Sequence, residues 1–267
     1  MPAVFAPPCQ LTGFCPTWSQ AALQLVIFMR IISPVPVSID CPPQMESAVR
    51  YVFEGEYESH HDGIGLSILD IGANVGSFAL WAEMRWPGST INCYEPNPGT
   101  FDYLKRNTAG HPAITAHNAA LFPGAKPREP FFSRYDGDGE AGLASYATDT
   151  FRAAVVQPAF EVDVIDPARI APADIVKIDI EGGEAEVLAH LDLTGTSLVL
   201  LEFQNRKNRG LMQETLATAG FEKVVDESCP WDPILDYLDY RADLKGDVYG
   251  RMFYRRRGQT RLRHNPA

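Results

Sequence analysis

The stretch Ser67–Leu80 reads SILDIGANVGSFAL. It begins as an apolar run broken by Asp70, sets Gly72 and Gly76 four positions apart, and turns amphipathic from Ser77. A buried strand that stops at glycines and hands over to a helix is the opening unit of a parallel sheet. In such sheets ligands lie beyond the carboxyl ends of the strands, where the strand order reverses. Gly72 and Gly76 let backbone come close to a ligand, and the free amides of the helix start face it. The spacing is G-x-x-x-G rather than the dinucleotide fingerprint G-x-G-x-x-G, with Asp70 before it and Asn74 inside it. A carboxylate there suits a ligand with a cation, such as an amino acid's ammonium, better than a pyrophosphate.

Downstream, strands and helices alternate as a parallel sheet with crossover helices requires. The helix NVGSFALWAEMRWPG carries Val75, Phe78, Ala79 and Ala82 on one stripe and stops at Pro87-Gly88. TINCYEP is the second strand, PGTFDYLKRNTAG the second helix and AITAHNAAL the third strand; a Gly/Pro-rich irregular stretch then runs from Phe122 to about Phe160. The alternation resumes with ADIVKIDIEG, GEAEVLAHL, TSLVLLEFQ and GLMQETLATAGF. EKVVDES and GDVYGRMFYRR, joined by loop, read as an antiparallel pair at the sheet edge.

Glu95 ends the second strand 25 residues after Asp70, where an acid accepts hydrogen bonds from the two hydroxyls of a ribose. A lone acid at a strand end is usually a helix cap; its coincidence with Asp70 and the glycines raises it above that. Ammonium and ribose together point to S-adenosylmethionine.

Composition fits a globular α/β chain of 267 residues, 45% hydrophobic and 21% charged. A net charge of −11 opposes bulk attraction to nucleic acid or an anionic membrane. The end is different: from Arg251, RMFYRRRGQTRLRH has six arginines and no acid. We read it as a last strand and solvated tail, with a phosphate-contacting patch as the alternative. Cysteines 9, 15, 41, 93 and 229 form no CxxC pair, and the odd count fits reduced thiols in a cytoplasmic protein. The run LQLVIFMRII, Leu23–Ile32, is about half the roughly 20 residues a span needs and is interrupted by Arg30, so no membrane span and no secretory signal are expected. With PVPVSI it reads as two strands, or a strand and an extended arm, after a poorly ordered start over residues 1–20. MESAVRYVFEGEY, Met45–Tyr57, puts Val49, Val52 and Phe53 on one helical face and stops at Gly55. This segment is expected to pack over the carboxyl edge of the sheet and help close the acceptor pocket.

Three blocks, LDIGANVGSFAL, YEPNPGTFDYLKRN and DIVKIDIEGGEAEVL, make the chain resemble the FkbM-type methyltransferases of the class I superfamily from about Met45 to Arg256. The K-x-D-x-E-G-x-E of the last block is the most distinctive. The resemblance implies a Rossmann-like, mostly parallel α/β sheet with an antiparallel edge strand and a small N-terminal cap. Residues 1–58 would be the extension and cap, 59–257 the S-adenosylmethionine-binding domain and 258–267 a basic tail. It also implies O-methylation of a hydroxyl on a small molecule, a polyketide or a sugar. Asp70, Gly72, Asn74 and Gly76 would form the methionine end of the cofactor site, Glu95 would hold the ribose, Pro96 would lie beside the adenine, and Asn118 with Ala119 would meet its edge.

Methyl transfer to an alcohol needs acceptor, methyl and sulfur in line and a group to take the acceptor's proton. Asp179, Glu181 and Glu202, at the ends of the fourth and fifth strands, are the candidates, and Glu184 reads as a first-turn helix acid. Lys177 shares a face with Asp179, as an ion pair or a substrate contact. Asp179 and Glu202 could instead hold a divalent cation, Mg2+, with Gln204 or Asn205 as a neutral ligand; the metal-free arrangement is preferred. His60 and His61 read as a surface turn, His117 as a neighbour of the adenine, and Asp136–Glu140 (DGDGE) as a turn without the spacing of a calcium loop. Two other readings stay open. A nucleic-acid methyltransferase lacks here the aromatic motif expected for base amino groups, and a noncatalytic cofactor-binding protein would not need the strand-end acids.

Overall fold

A computed structural model describes residues 23–27, 37–124, 126–133, 141–143, 160–204, 206–230 and 248–258. Residues 1–20, Asp136–Glu140, Asn205 and the tail beyond Gly258 lie outside them.

The chain opens with an antiparallel hairpin, β1 (Leu23–Ile27) and β2 (Val37–Cys41), followed by helix α1 (Glu46–Tyr51), which runs into a π-turn over Val52–Glu56. Then come β3 (Ser67–Ile71), α2 (Ser77–Arg85), β4 (Thr90–Tyr94), α3 (Pro98–Thr108) and β5 (Ile114–His117). Four short strands follow: β6 (Ala120–Leu121), β7 (Arg128–Phe132), β8 (Gly142–Leu143) and β9 (Phe160–Ile165). The remainder is β10 (Ile175–Ile178), α4 (Glu184–His190), β11 (Leu198–Phe203), α5 (Arg206–Thr218), β12 (Phe221–Pro230) and β13 (Val248–Arg256).

The main sheet has seven strands in the order β12-β13-β11-β10-β3-β4-β5. The five strands from β11 to β5 are parallel, and β13 enters antiparallel between β11 and β12. This is the class I methyltransferase arrangement. The chain builds outward from β3 through β4 to β5, then returns to lay β10 on the other side of β3, so the order reverses between β3 and β10. Crossover segments cover both faces there, which is why β10 is buried along its length and β11 at all but Glu202.

Helix α2 differs from the single apolar stripe expected of it: Phe78, Ala79, Leu80, Trp81 and Ala82 are all buried. The cap is the reason. Tyr57, just past the π-turn, sets its ring 5.0 Å from Phe78 and 6.5 Å from Trp81 and stacks on Phe253 of β13 at 6.3 Å, so the cap buries a further side of the helix. The β1–β2 hairpin is tied down as well. Asn107 of α3 accepts from Asp40 N at 2.8 Å and donates to the carbonyls of Asp40 and Val75, both at 2.8 Å.

Two expectations are corrected. The third strand is not continuous: β5 stops at His117, the chain bends at Asn118-Ala119, and β6 leaves to pair in parallel with β9. Asn118 Nδ2 donates to the carbonyls of Glu95 and Pro96 at 2.9 and 3.0 Å, taking up acceptors beside which a longer β5 would have run. The stretch after Phe122 is not wholly irregular, since β7 and β8 join a second four-stranded sheet of order β6-β9-β7-β8. The arginines of the last strand are used internally. Arg256 donates to the carbonyls of Thr196, Ala219 and Leu193, and Arg255 pairs with Glu222 at 2.9 Å. No helix among the described residues is long and apolar enough to cross a membrane.

At the amino edge of the sheet, Asp174 joins three strands. Its Oδ2 accepts from Ser67 N at 2.8 Å and Ser67 Oγ at 2.7 Å, and its carbonyl accepts from Ser197 N at 2.9 Å. Asp174→Ala should lower the unfolding free energy by about 1–3 kcal/mol, because Ser67 N loses a charged partner. Urea denaturation checks the loss.

Candidate active site

A cavity of about 270 Å³ lies at the carboxyl ends of β3, β4, β10 and β11. Its walls are the β3–α2 loop, the turn after β4, the second sheet through Leu121, Phe131 and Leu143, and the cap through Met45, Tyr51 and Glu56.

The two glycines of the β3–α2 loop both take left-handed backbone angles, and at Gly72 a distant backbone segment also leaves no room for a side chain. Gly72 has φ 78°, and a Cβ on it would sit 1.7 Å from the Asp179 carbonyl. Gly76 has φ 90°, and its Cβ would meet Leu104 Cδ1 of α3 at 2.8 Å. Gly72 still lines the cavity through its backbone, whereas Gly76 does not reach it.

Asn74 faces the cavity in a left-handed conformation, φ 48°, which is sparsely populated outside glycine. Its N–H donates to Glu95 Oε2 at 3.0 Å, and its Oδ1 is buried without a hydrogen-bond partner. Glu95 also accepts from Asn97 N at 2.8 Å. It is 6% exposed, and burial pushes its carboxyl up to about 7 against the pull of those two N–H bonds. Pro96 and Ala119 line the cavity beside it. Asn118 does not: its amide fixes the Glu95–Pro96 backbone from outside.

The other end is built on Lys177. Its ammonium donates to the Gly72 carbonyl at 2.7 Å and lies 3.3 Å from Asp70 Oδ1 and 3.5 Å from Asp179 Oδ2. Burial would lower its pKa, yet the charges of Asp70, Asp179 and Glu202 prevail and raise it. Asp70 is fully buried and is not among the lining residues, with the Lys177 ammonium as its ionic neighbour. The Lys177–Asp179 ion pair, one of the two alternatives open in the sequence, is present.

Asp179, Glu181 and Glu202 all line the cavity. Glu202 is held above the usual carboxylate range by burial and by the charges of Asp179 and Glu56. Two cap residues join them that spacing did not single out. Glu56 pairs with Arg251 at 3.3 Å, and the Tyr57 hydroxyl donates to Glu202 Oε1 at 3.2 Å. The only trace of them in the sequence is their position directly after Gly55, whose φ of 107° turns the chain toward the site.

Glu184 lies outside the cavity. It is fully buried, accepts from Gly182 N at 2.7 Å and from Asn208 Nδ2, and pins the loop after β10 to α5. His60, His61 and His117 do not line the cavity either; the His117 ring stacks on Tyr94 with centroids 4.6 Å apart. For Mg2+ the donor set is a poor match. Among the described residues no three His, Cys, Asp or Glu side chains converge on a metal position. Asp179 already faces the Lys177 ammonium, Gln204 is not among the lining residues, and Asn205 lies outside the described residues.

Removing Lys177 strands a fully buried Asp70 beside Asp179. Lys177→Met should therefore destabilise the chain by about 3–5 kcal/mol, the range for breaking a buried pair from one side. Adding Asp70→Asn should recover part of that loss. Urea denaturation of both variants provides the comparison, and a Lys177→Met chain as stable as the wild type would show that the pair contributes nothing.

Residues 70–238 match the methyltransferase FkbM domain. The chain is 29% identical over 189 residues to Methyltransferase 1 of Beauveria bassiana, covering 62% of this chain and 76% of that one. It is 28% identical over 153 residues to 31-O-demethyl-FK506 methyltransferase FkbM of Streptomyces tacrolimicus, covering 47% and 59%. It is 23% identical over 159 residues to hexuronic acid methyltransferase AglP of Haloferax volcanii, covering 59% and 61%. The alignments thus span about three fifths of the length of the last two relatives. With a domain match that takes in well over half of the sequence, laid over this strand order, the chain belongs to the FkbM methyltransferase family.

Proposed function

We propose that the chain methylates a hydroxyl of a small molecule, such as a polyketide or a sugar, using S-adenosylmethionine. The observation that carries this reading is the buried, unpartnered Asn74 Oδ1 facing the same cavity as Glu95. A buried acceptor without a donor is costly, and an incoming ammonium would relieve it. Glu95 supplies acceptor oxygens one strand over for the ribose hydroxyls, and Pro96, Ala119, Leu121 and Phe131 offer an apolar wall for the adenine. The bound cofactor supplies a methyl group on a positively charged sulfonium. Glu56, Glu95, Asp179, Glu181 and Glu202 line the cavity against one lysine, a balance that suits a cationic ligand and opposes a phosphate backbone. The name of the Streptomyces relative records methylation at an oxygen, and that of the Haloferax relative a hexuronic acid, which support a hydroxylated acceptor.

In this reading Asp179 and Glu202 meet the acceptor hydroxyl and one of them takes its proton, while Lys177 holds Asp179 and the Gly72 carbonyl in place.

Calorimetry with S-adenosylmethionine tests the cofactor site. Asn74→Ala and Glu95→Ala should each weaken binding by about tenfold or more, as expected for losing a hydrogen bond to a charged group. Unchanged affinity in both variants, with the fold intact, rules the site out. The pH dependence has a definite sign. The Glu95 carboxyl sits at about 7 and must be ionised to accept from both ribose hydroxyls, so affinity should fall as pH drops below 7 and level off above it. Glu95→Gln should flatten that profile.

A screen of hydroxylated compounds with methyl-labelled cofactor tests the chemistry. On an acceptor so identified, Asp179→Asn should lower turnover by about two to four orders of magnitude with cofactor affinity nearly unchanged. If Asp179→Asn and Glu202→Gln both turn over at the wild-type rate, neither carboxylate takes the proton.

A further inference from the structure

Tyr57 reaches the acidic end of the cavity from the cap, outside the strand ends that carry the other acids. Its ring is gripped by Phe78 edge-on at 5.0 Å, by Trp81 at 6.5 Å and by Phe253 in a stack at 6.3 Å. It is 3% exposed. A phenol held on three sides gives up little further freedom when its hydroxyl stays on one oxygen. That oxygen is Glu202 Oε1, at 3.2 Å. The burial of the ring is accounted for by the aromatic cluster, and phenylalanine would fill the same space. The hydroxyl is what needs a reason.

We propose that Tyr57 is a positioning residue for methyl transfer: its hydroxyl engages Glu202 Oε1 and so presents Oε2 to the acceptor, which makes the N-terminal cap part of the catalytic end. The inference rests on the reading of Glu202 as a proton acceptor. In the step it serves, the acceptor oxygen bonds to the methyl carbon as the carbon–sulfur bond breaks, and the electron pair of that bond stays on sulfur. The acceptor's proton passes to Glu202 Oε2. Charge balances, because the sulfonium becomes a neutral sulfide as the carboxylate becomes a neutral acid.

Glu202 is faced by Asp179 and Lys177 from β10 and its end, by Glu56 and Tyr57 from the cap, and by Arg251, its register partner on β13. Burial and the two acids favour its neutral form, whereas Lys177 and the Tyr57 hydroxyl favour the ionised form that a base requires. Removing the hydroxyl therefore moves Glu202 further up, and the acid limb of the rate profile moves to higher pH with it.

The test uses the full chain and Tyr57→Phe, which keeps the ring. Carbon NMR of labelled glutamate carboxyls follows Glu202, its signal identified by its loss in Glu202→Gln. Methyl transfer to an acceptor found by screening gives kcat and KM across pH. The expected result is an unchanged fold and cofactor affinity, a Glu202 midpoint displaced upward, and kcat lowered about ten- to a hundredfold with little change in acceptor KM, the scale of a small misplacement of a reacting group. An unmoved midpoint overturns the proposal, and so does a moved midpoint with kcat and its pH profile unchanged. A wild-type chain that methylates no hydroxyl compound defeats the parent reading separately, and the NMR midpoint then decides the Tyr57–Glu202 contact by itself.

Discussion

The buried ammonium of Lys177 is the point on which the site depends. It sits where the strand order reverses, on the strand beside β3, and joins the Gly72 carbonyl, Asp70 and Asp179. Taking an ammonium and a carboxylate out of water costs several kcal/mol per ion, which a pair recovers only with close geometry and further hydrogen bonds. Here the third contact is a backbone carbonyl in the β3–α2 loop, so the same charge that neutralises Asp70 also sets the path of Gly72. A hydrophobic residue of similar size would fill the space and leave the loop, Asp70 and Asp179 without a common partner.

From that anchor the two ends of the cavity acquire opposite characters. Toward β4, Glu95 is fixed by backbone N–H groups and Asn74 is left with an unpartnered oxygen, an arrangement prepared for donors on a ligand. Toward β11, carboxylates crowd around one lysine, and those of Glu56 and Glu202 are held up by burial and by the charge of Asp179. The cap bears on both ends, through Met45 and Tyr51 at the wall and through Glu56 and Tyr57 at the acids.

Much of this was legible before any coordinates. Alternating apolar runs with glycine stops gave the order of strands and helices, because a strand buried on both faces must be apolar throughout and a crossover must turn at its ends. The acids at strand ends gave Glu95, Asp179 and Glu202, since parallel strands of similar length bring their carboxyl ends to one edge. The irregular appearance of the stretch after Phe122 concealed β7 and β8, since β8 has only two residues, too short to show a period, and β7, REPFF, does not alternate.

Residue types and their spacing along single strands pointed to the fold class, the edge of the sheet that carries the cavity and several of the residues that line it, among them Gly72, Asn74, Glu95, Asp179 and Glu202. Tertiary structure alone decided what those residues do there. Asp70 and Lys177 are adjacent only because β3 and β10 pair in register across more than a hundred residues of sequence, and that pairing makes them a buried ion pair. Gly72 is required by the Asp179 carbonyl from a distant segment, which no local pattern announces. Glu56 and Tyr57 enter the site because a turn in the cap folds over α2. Sequence periodicity reports the face an element buries, whereas the identity of the partner on that face is set only when the whole chain has closed.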